Sequence, residues 1–158
     1  MNHTKIIGYI LLVFSAIFAY SCSTGAVYDQ NREVGKNGWY KNDAARFDVE
    51  INDTVVTYDY YINLRHTVDY RYSNLYVFMS TSYPNGNIGR DTVEFVLADK
   101  SGKWYGKGWG DVKDISVPIV KGMKFPLKGA YTFQIQQAMR VDTLKEINDI
   151  GIRIEHSK

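Results

Sequence analysis

Few residues of this 158-residue chain have the type and spacing for chemistry. Cys22 is the only cysteine, so it cannot form an intramolecular disulfide and its thiol is available for a different bond, such as attachment of lipid. The histidines are His3, His66 and His156, and no two of them have ligand spacing, so a zinc site is not expected. His66 belongs to an alternating run, where a half-buried packing role is a simpler reading than membership of a Ser–His–Asp triad. Asp53, Asp69, Asp91, Asp99, Asp111 and Asp114 all fall at turn-like positions. A sugar-hydrolysing pair among them would depend on a separation in space that spacing along the chain does not give. Asp99-Lys100-Ser101-Gly102 lacks the calcium-loop pattern and reads as a hairpin turn. No catalytic residue, metal ligand or cofactor is assigned.

One segment stands out for binding. Gly102 to Gly110 interleaves Trp104, Tyr105 and Trp109 with glycines and lysines. Exposed aromatic rings beside glycine can stack on sugar rings or form a protein-docking patch. The same composition also fits one buried Trp plugging the end of a sandwich, with glycines allowing a bulge or a close backbone approach.

The N-terminus has the build of an export signal. Lys5 supplies positive charge, Ile6 to Tyr20 is apolar apart from Gly8 and Ser15, and Ala19-Tyr20-Ser21 precedes the cysteine. The apolar run is shorter than the about 20 residues of a spanning helix. No basic stop-transfer cluster follows it. The arrangement resembles the bacterial lipoprotein box, in which cleavage occurs just before an acylated cysteine, although Ala19 stands where that box usually has Leu. The resemblance implies a signal peptide over 1–21, palmitate-type acylation of Cys22 and membrane attachment through it. Ser23 with no acidic run after it resembles the default sorting pattern for the outer membrane.

Cleavage there leaves 137 residues, enough for one domain with a core. It removes Lys5 and takes the formal charge from +2 to +1. That balance lacks the basic excess needed for nucleic acid, so nucleic acid is not an expected partner. Without a disulfide, packing must hold the fold.

The elements that must position any site are strands. Phe47, Val49 and Ile51 alternate with Asp48 and Glu50; Val56, Tyr58, Tyr60, Ile62 and Leu64 alternate with Thr57, Asp59, Asn63 and Arg65. Leu75, Val77 and Met79 form an inward set, and Tyr76 and Phe78 make that strand apolar on both sides, which predicts a central strand. Val93, Phe95 and Leu97 follow, then an edge strand around Pro118. Tyr131, Phe133 and Ile135 face in, with Gln134 and Gln136 outward, and Ile150, Ile152 and Ile154 end the chain. Val27-Tyr28 could start an edge strand. Asp142 to Asn148 permits a short helix through Leu144 and Ile147. About eight strands with turn signals between them predict an all-β, antiparallel β-sandwich, jelly-roll or immunoglobulin-like. The expected organisation is a lipidated N-terminus and tether over 22–38 and a single sandwich domain over 39–158.

Several segments in a fixed order resemble the GldH family of gliding-motility lipoproteins. They are Tyr72-Ser73-Asn74-Leu75, Tyr83-Pro84-Asn85-Gly86, Asp91-Thr92-Val93-Glu94, and Leu97-Ala98-Asp99 with Gly102 to Gly108. Ile135 to Arg140 and Asp149 to Glu155 complete the set. The resemblance implies a non-enzymatic cell-envelope lipoprotein linked to gliding and to type IX secretion. It implies partners among other envelope proteins of that machinery. A glycan-binding lipoprotein using the aromatic patch is the alternative. Arg140, at the end of its strand, is a candidate partner contact or a solvated loop residue. Asp53-Thr54-Val55, Asp91-Thr92-Val93 and Asp142-Thr143-Leu144 resemble the short O-glycosylation acceptor motif of the same bacterial group. Thr54, Thr92 and Thr143 are therefore candidate modification sites, with Thr54 and Thr143 in the looser turns.

Acylation of Cys22 has a direct consequence. Each acyl CH2 buried in a bilayer contributes about 0.8 kcal/mol, so two or more chains anchor stably. Cys22→Ser is expected to leave a protein that no longer partitions with membranes. Unchanged partitioning and unchanged mass of that variant would contradict acylation.

Overall fold

The computed structural model describes residues 25–158, so Cys22 and the signal-like segment lie outside the described residues. Ten strands run through this region: β1 (Ala26–Glu33), β2 (Trp39–Tyr40), β3 (Ala45–Ile51), β4 (Tyr58–Thr67), β5 (Asn74–Ser82), β6 (Ile88–Val96), β7 (Val112–Met123), β8 (Gly129–Gln137), β9 (Thr143–Leu144) and β10 (Ile147–His156). β2 and β9 are two-residue strands that pair only with each other. The eight long strands form two four-stranded sheets, β1-β10-β4-β7 and β3-β8-β5-β6, with antiparallel pairing throughout.

Counting only the long strands, the orders become 1-8-3-6 and 2-7-4-5. That is the double Greek-key wiring of a jelly roll, which decides between the two sandwich types expected. Only β5 and β6 are sequential neighbours within one sheet. Every other connection between long strands crosses from sheet to sheet, so the inward faces of successive strands meet in one core.

The alternation written in the sequence is the alternation of burial. β3 reads buried–exposed without a break from Ala45 to Ile51. In β4, Tyr58, Tyr60, Ile62 and Leu64 are buried, and in β10 so are Ile150, Ile152 and Ile154. Aromatic rings link the two sheets. Tyr60 of the first lies 5.2 Å from Phe133 of the second. Phe125 bridges Tyr58 and Tyr131 at 5.1 and 4.9 Å, both edge-on. Edge-on and offset contacts of this kind place ring hydrogens on ring faces and add to simple area burial. The Tyr131 hydroxyl, carried into this core, donates to the Leu127 carbonyl and accepts from the Leu127 N–H, whereas the buried Tyr60 hydroxyl has no partner.

Two sequence expectations change. β1 pairs along its length with β10, so residues 26–33, within the segment expected to be a tether, belong to the sandwich. Asp142 to Asn148 forms no helix. Leu144 and Ile147 are buried as a helix would bury them, but β9 pairs with β2 and Glu146 takes a left-handed φ of 68°, turning the chain straight into β10. The Thr67 N–H and hydroxyl both bond to Glu146, which holds that turn. As expected, β5 is central in its sheet, between β8 and β6, and one of its faces is left uncovered. Tyr76 and Phe78 point out, with Phe78 52% exposed. The edge position expected from Pro118 is found: β7 pairs with β4 alone.

Phe133 and Phe78 therefore make a matched pair, one buried and one exposed, on neighbouring strands. Phe133→Ala should cost roughly 3–5 kcal/mol, as for large-to-small changes in a packed core. Phe78→Ala should stay within about 0.5 kcal/mol, as for surface changes. Urea unfolding of the two variants checks this, and equal shifts would contradict the assigned faces.

Candidate functional site

The outer face of the β1-β10-β4-β7 sheet is polar, and pairing aligns its side chains in rows. One row runs Glu33–Asp149–Arg65–Asp114 across the four strands, and the next runs Asn31–Gly151–Asn63–Ser116. Arg65 donates to Asp114 at 2.7 Å and to Asp149 at 3.3 Å, which holds its guanidinium across the sheet. In the second row Ser116 donates to Asn63 at 2.8 Å, and Asn63 donates to Asp29 at 3.3 Å. Gly151 lies between them without a side chain. A Cβ there would sit 1.8 Å from the Asn31 amide oxygen and 2.5 Å from the Gln30 carbonyl, so only glycine lets β1 approach with Asn31 folded over the sheet.

The loop between β6 and β7 walls this floor. Ala98 bridges Trp104, and Lys107 bridges Asp114 of β7 through reciprocal backbone bonds. That second bridge explains the glycines on either side of Lys107. A Cβ at Gly106 would meet the Asp114 carbonyl at 3.0 Å, and one at Gly108 would meet the Val112 carbonyl at 2.1 Å. The loop turns at Asp99, whose carboxylate accepts from Ser101 and from the Lys103 N–H. These bonds hold the Asp99 carboxyl below the ordinary range, Ser101 contributing most. The segment is thus a hairpin turn, as its sequence indicates.

The three aromatics of this loop part company. Trp104 packs inward, its ring 4.6 Å from His66 and 6.4 Å from Tyr70, and plugs that end of the sandwich. Tyr105 is exposed and lines a cleft of about 550 Å3 over the floor described above. Trp109 is 98% exposed and lines an adjoining cleft of about 710 Å3 toward the β1–β2 loop and Lys145. Arg65, Asp114 and Asp149 line both clefts, so the two are contiguous.

The opposite outer face, on β3-β8-β5-β6, differs in chemistry. Tyr76, Phe78, Ile88 and Val96 are exposed on it. Arg140 lies at its margin beside Tyr72, Tyr76 and Met139. Thr92 is exposed on the edge strand β6, directly across from Phe78. Thr54 and Thr143 are half-buried, Thr143 inside the β2–β9 pair and Thr54 in a turn capped by Asp53. Exposure therefore ranks Thr92 first of the three, the reverse of the order expected from turn looseness.

The sequence places Asn63 and Arg65 on the outward face and allows an edge strand to start at Val27-Tyr28, as β1 does, but it singles out neither Asp29 nor Asn31. The signal for the floor was Gly151, alone in an isoleucine-rich strand. Among the described residues no group of three or more His, Cys, Asp or Glu side chains is arranged to hold a metal ion.

The profile of the GldH lipoprotein family matches residues 26–154. The gliding motility lipoprotein GldH homolog of Christiangramia forsetii is 36% identical over 154 residues, covering 93% of this chain and 94% of that one. The gliding motility lipoprotein GldH of Flavobacterium johnsoniae is 32% identical over 152 residues, covering 92% and 94%. An all-β jelly roll is thus joined to a lipoprotein family. The chain belongs to the GldH lipoprotein family. Among solved structures, a carbohydrate-binding module specific for non-crystalline cellulose overlays 82% of this chain and 73% of its own at 8% identity. The TM-score of 0.44 is too low for that overlay to bear on function.

His66, expected to be half-buried, is fully buried. Its Nδ1 lies 2.8 Å from the Thr67 carbonyl, an acceptor, so Nδ1 carries the proton and Nε2 is left as a bare acceptor among rings without a partner. Burial pushes its pKa below the ordinary 6.5. Below that value the unfolded chain binds a proton that the folded chain refuses. The associated stability is therefore complete above pH 6.5 and is lost as pH falls toward the folded pKa. His66→Phe should flatten the drop in urea midpoint between about pH 7.5 and about pH 5.5. An identical drop in the variant would rule out His66 as its source.

Proposed function

We propose that the protein is a non-catalytic, lipid-anchored interaction module of the cell envelope that works in gliding motility beside the type IX secretion apparatus. Acylated Cys22 tethers it, and the outer membrane is the proposed location. Its relatives are named as gliding motility lipoproteins. Tethering raises its effective concentration beside other envelope proteins without any new contact.

The observation that carries this reading is the outer face of the β3-β8-β5-β6 sheet. A two-sheet sandwich that met only water would alternate polar residues outward along β5. Here Tyr76 and Phe78 occupy those positions, with Tyr72, Met139 and Arg140 at the margin. Aromatic residues and arginine are the types enriched where proteins dock. The occupant proposed is a protein of the envelope machinery that brings a complementary apolar surface.

A non-catalytic role fits the employment of the polar groups. His66 is sealed among Trp104 and Tyr70, Asp53 and Asp99 cap turns, and Asp114 and Asp149 both accept from Arg65.

Affinity purification of the tagged lipoprotein from its native envelope tests the proposal. Phe78→Asp combined with Tyr76→Ala should deplete the co-purifying envelope proteins at least about tenfold, the order expected for losing a docking aromatic. Membrane partitioning should be unchanged. An undiminished set of partners would show that this face is not the docking surface.

A further inference from the structure

We propose that the contiguous groove over the outer face of the β1-β10-β4-β7 sheet binds a short, neutral oligosaccharide. This is independent of the protein-docking face on the opposite side of the sandwich.

The floor selects the ligand class. It is centred on β4 and β10, strands whose backbones are laddered on both sides, with side chains of β1 and β7 at its margins. An extended peptide lying over that centre could add no strand, because β-augmentation needs a free edge. The rows of the floor are polar: Asn31, Gly151, Asn63 and Ser116, then Glu33, Asp149, Arg65 and Asp114. What it offers is a flat array of amides, a hydroxyl, carboxylates and a fixed guanidinium, donors and acceptors side by side. A polyhydroxylated ring, whose hydroxyls each donate and accept, matches such an array.

Charge excludes the other common ligands of polar grooves. Arg65 lies between Asp114 and Asp149, Arg153 lies 3.8 Å from Asp29, and Glu33 and Glu146 stand against Lys36, Lys107 and Lys145, five carboxylates against five cations. A polyanion would meet as much repulsion as attraction, so a neutral ligand is favoured.

The walls supply the second half of recognition. Tyr105 flanks the first cleft and Trp109 the second, one exposed ring for each. The apolar C–H faces of a sugar ring pack on such surfaces, while its equatorial hydroxyls reach the floor. From Asn63 to Thr67 the groove follows β4 for about 14 Å at roughly 3.4 Å per residue. That length suits several linked sugar units. Gly151 is what lets the Asn31 amide lie on the floor, and the bridge of Lys107 to Asp114 is what fixes Tyr105 over it.

The test titrates the full-length lipoprotein, held in a sugar-free zwitterionic detergent, with cellohexaose, chitohexaose and maltohexaose by calorimetry. An Asn/Ser/Gly-rich peptide of matched length serves as comparator. At least one hexasaccharide should saturate, and the peptide should not. Tyr105→Ala and Trp109→Ala should each weaken that binding about tenfold, the loss expected for one aromatic contact. Trp109 touches almost nothing in the fold, so its variant keeps the native melting temperature, and Asn63→Ala probes the floor separately. The Phe78→Asp, Tyr76→Ala variant should bind sugar normally. Absence of saturable binding with all three hexasaccharides overturns the proposal, as does binding that survives both aromatic substitutions. Equal binding of the peptide with the same dependence on Tyr105 and Trp109 overturns it too.

Discussion

Everything else in this fold depends on the pairing of β10 with two strands at once. The chain's last strand lies between β1, its first, and β4, so the sheet that carries the groove is not continuous until the C-terminus is in place. Such non-local pairings close large loops before they return any stabilisation, which makes them slow to form and strongly cooperative once made. Ile150, Ile152 and Ile154 then place three branched, fully buried side chains against the opposite sheet. No intramolecular disulfide reinforces the result, because the chain has a single cysteine. The sandwich is held by packing alone, and the density of rings linking its sheets is the physical answer to that constraint.

That same pairing creates the one place where side chains and backbone compete. β1 lies close enough to β10 that Asn31 occupies the space a side chain at 151 would need. Glycine in a strand interior ordinarily costs entropy and packing. Here it avoids a contact of 1.8 Å, and the room is taken by the Asn31 amide, which lies over the sheet. A feature required for folding thus shapes the floor of the groove. The glycines around Lys107 act in the same way one layer up, allowing the loop backbone to bridge β7 and bring Tyr105 over the floor.

Much of the fold is legible in the sequence because burial in a sandwich follows a period of two. The inward sets of β3, β4, β8 and β10 can be read residue by residue, and they are buried as read. Legibility ends where the deciding interaction is not local. β1 has few buried residues, so its alternation carries no hydrophobic signal, and only its pairing with β10 makes it a strand. The turn before β10 shows Leu144 and Ile147 three apart, which a helix and a tight turn satisfy equally; the capture of Glu146 by Thr67, 79 residues away, decides for the turn. The groove was invisible for the same reason. Asn63 reads as an ordinary outward polar residue and nothing local marks Asp29 or Ser116, so only register places them together. Trp104, Tyr105 and Trp109 could be marked as a group, but not sorted into one core ring and two surface rings.

The two outer faces of the sandwich are chemically opposite, and that asymmetry bears on what a small tethered protein can do. One face carries exposed aromatics, the other an array of hydrogen-bonding groups with compensated charge. The faces are separated by the core and two backbone layers, with sheets about 10 Å apart. A jelly roll with this many inter-sheet ring contacts is too densely packed for its sheets to slide, so occupancy of one face need not distort the other. Two unlike ligands can therefore be held on opposite sides at fixed distance and orientation. On the proposed reading, that geometry suits a bridge: a rigid body with one face for a protein and the opposite face for a polymer.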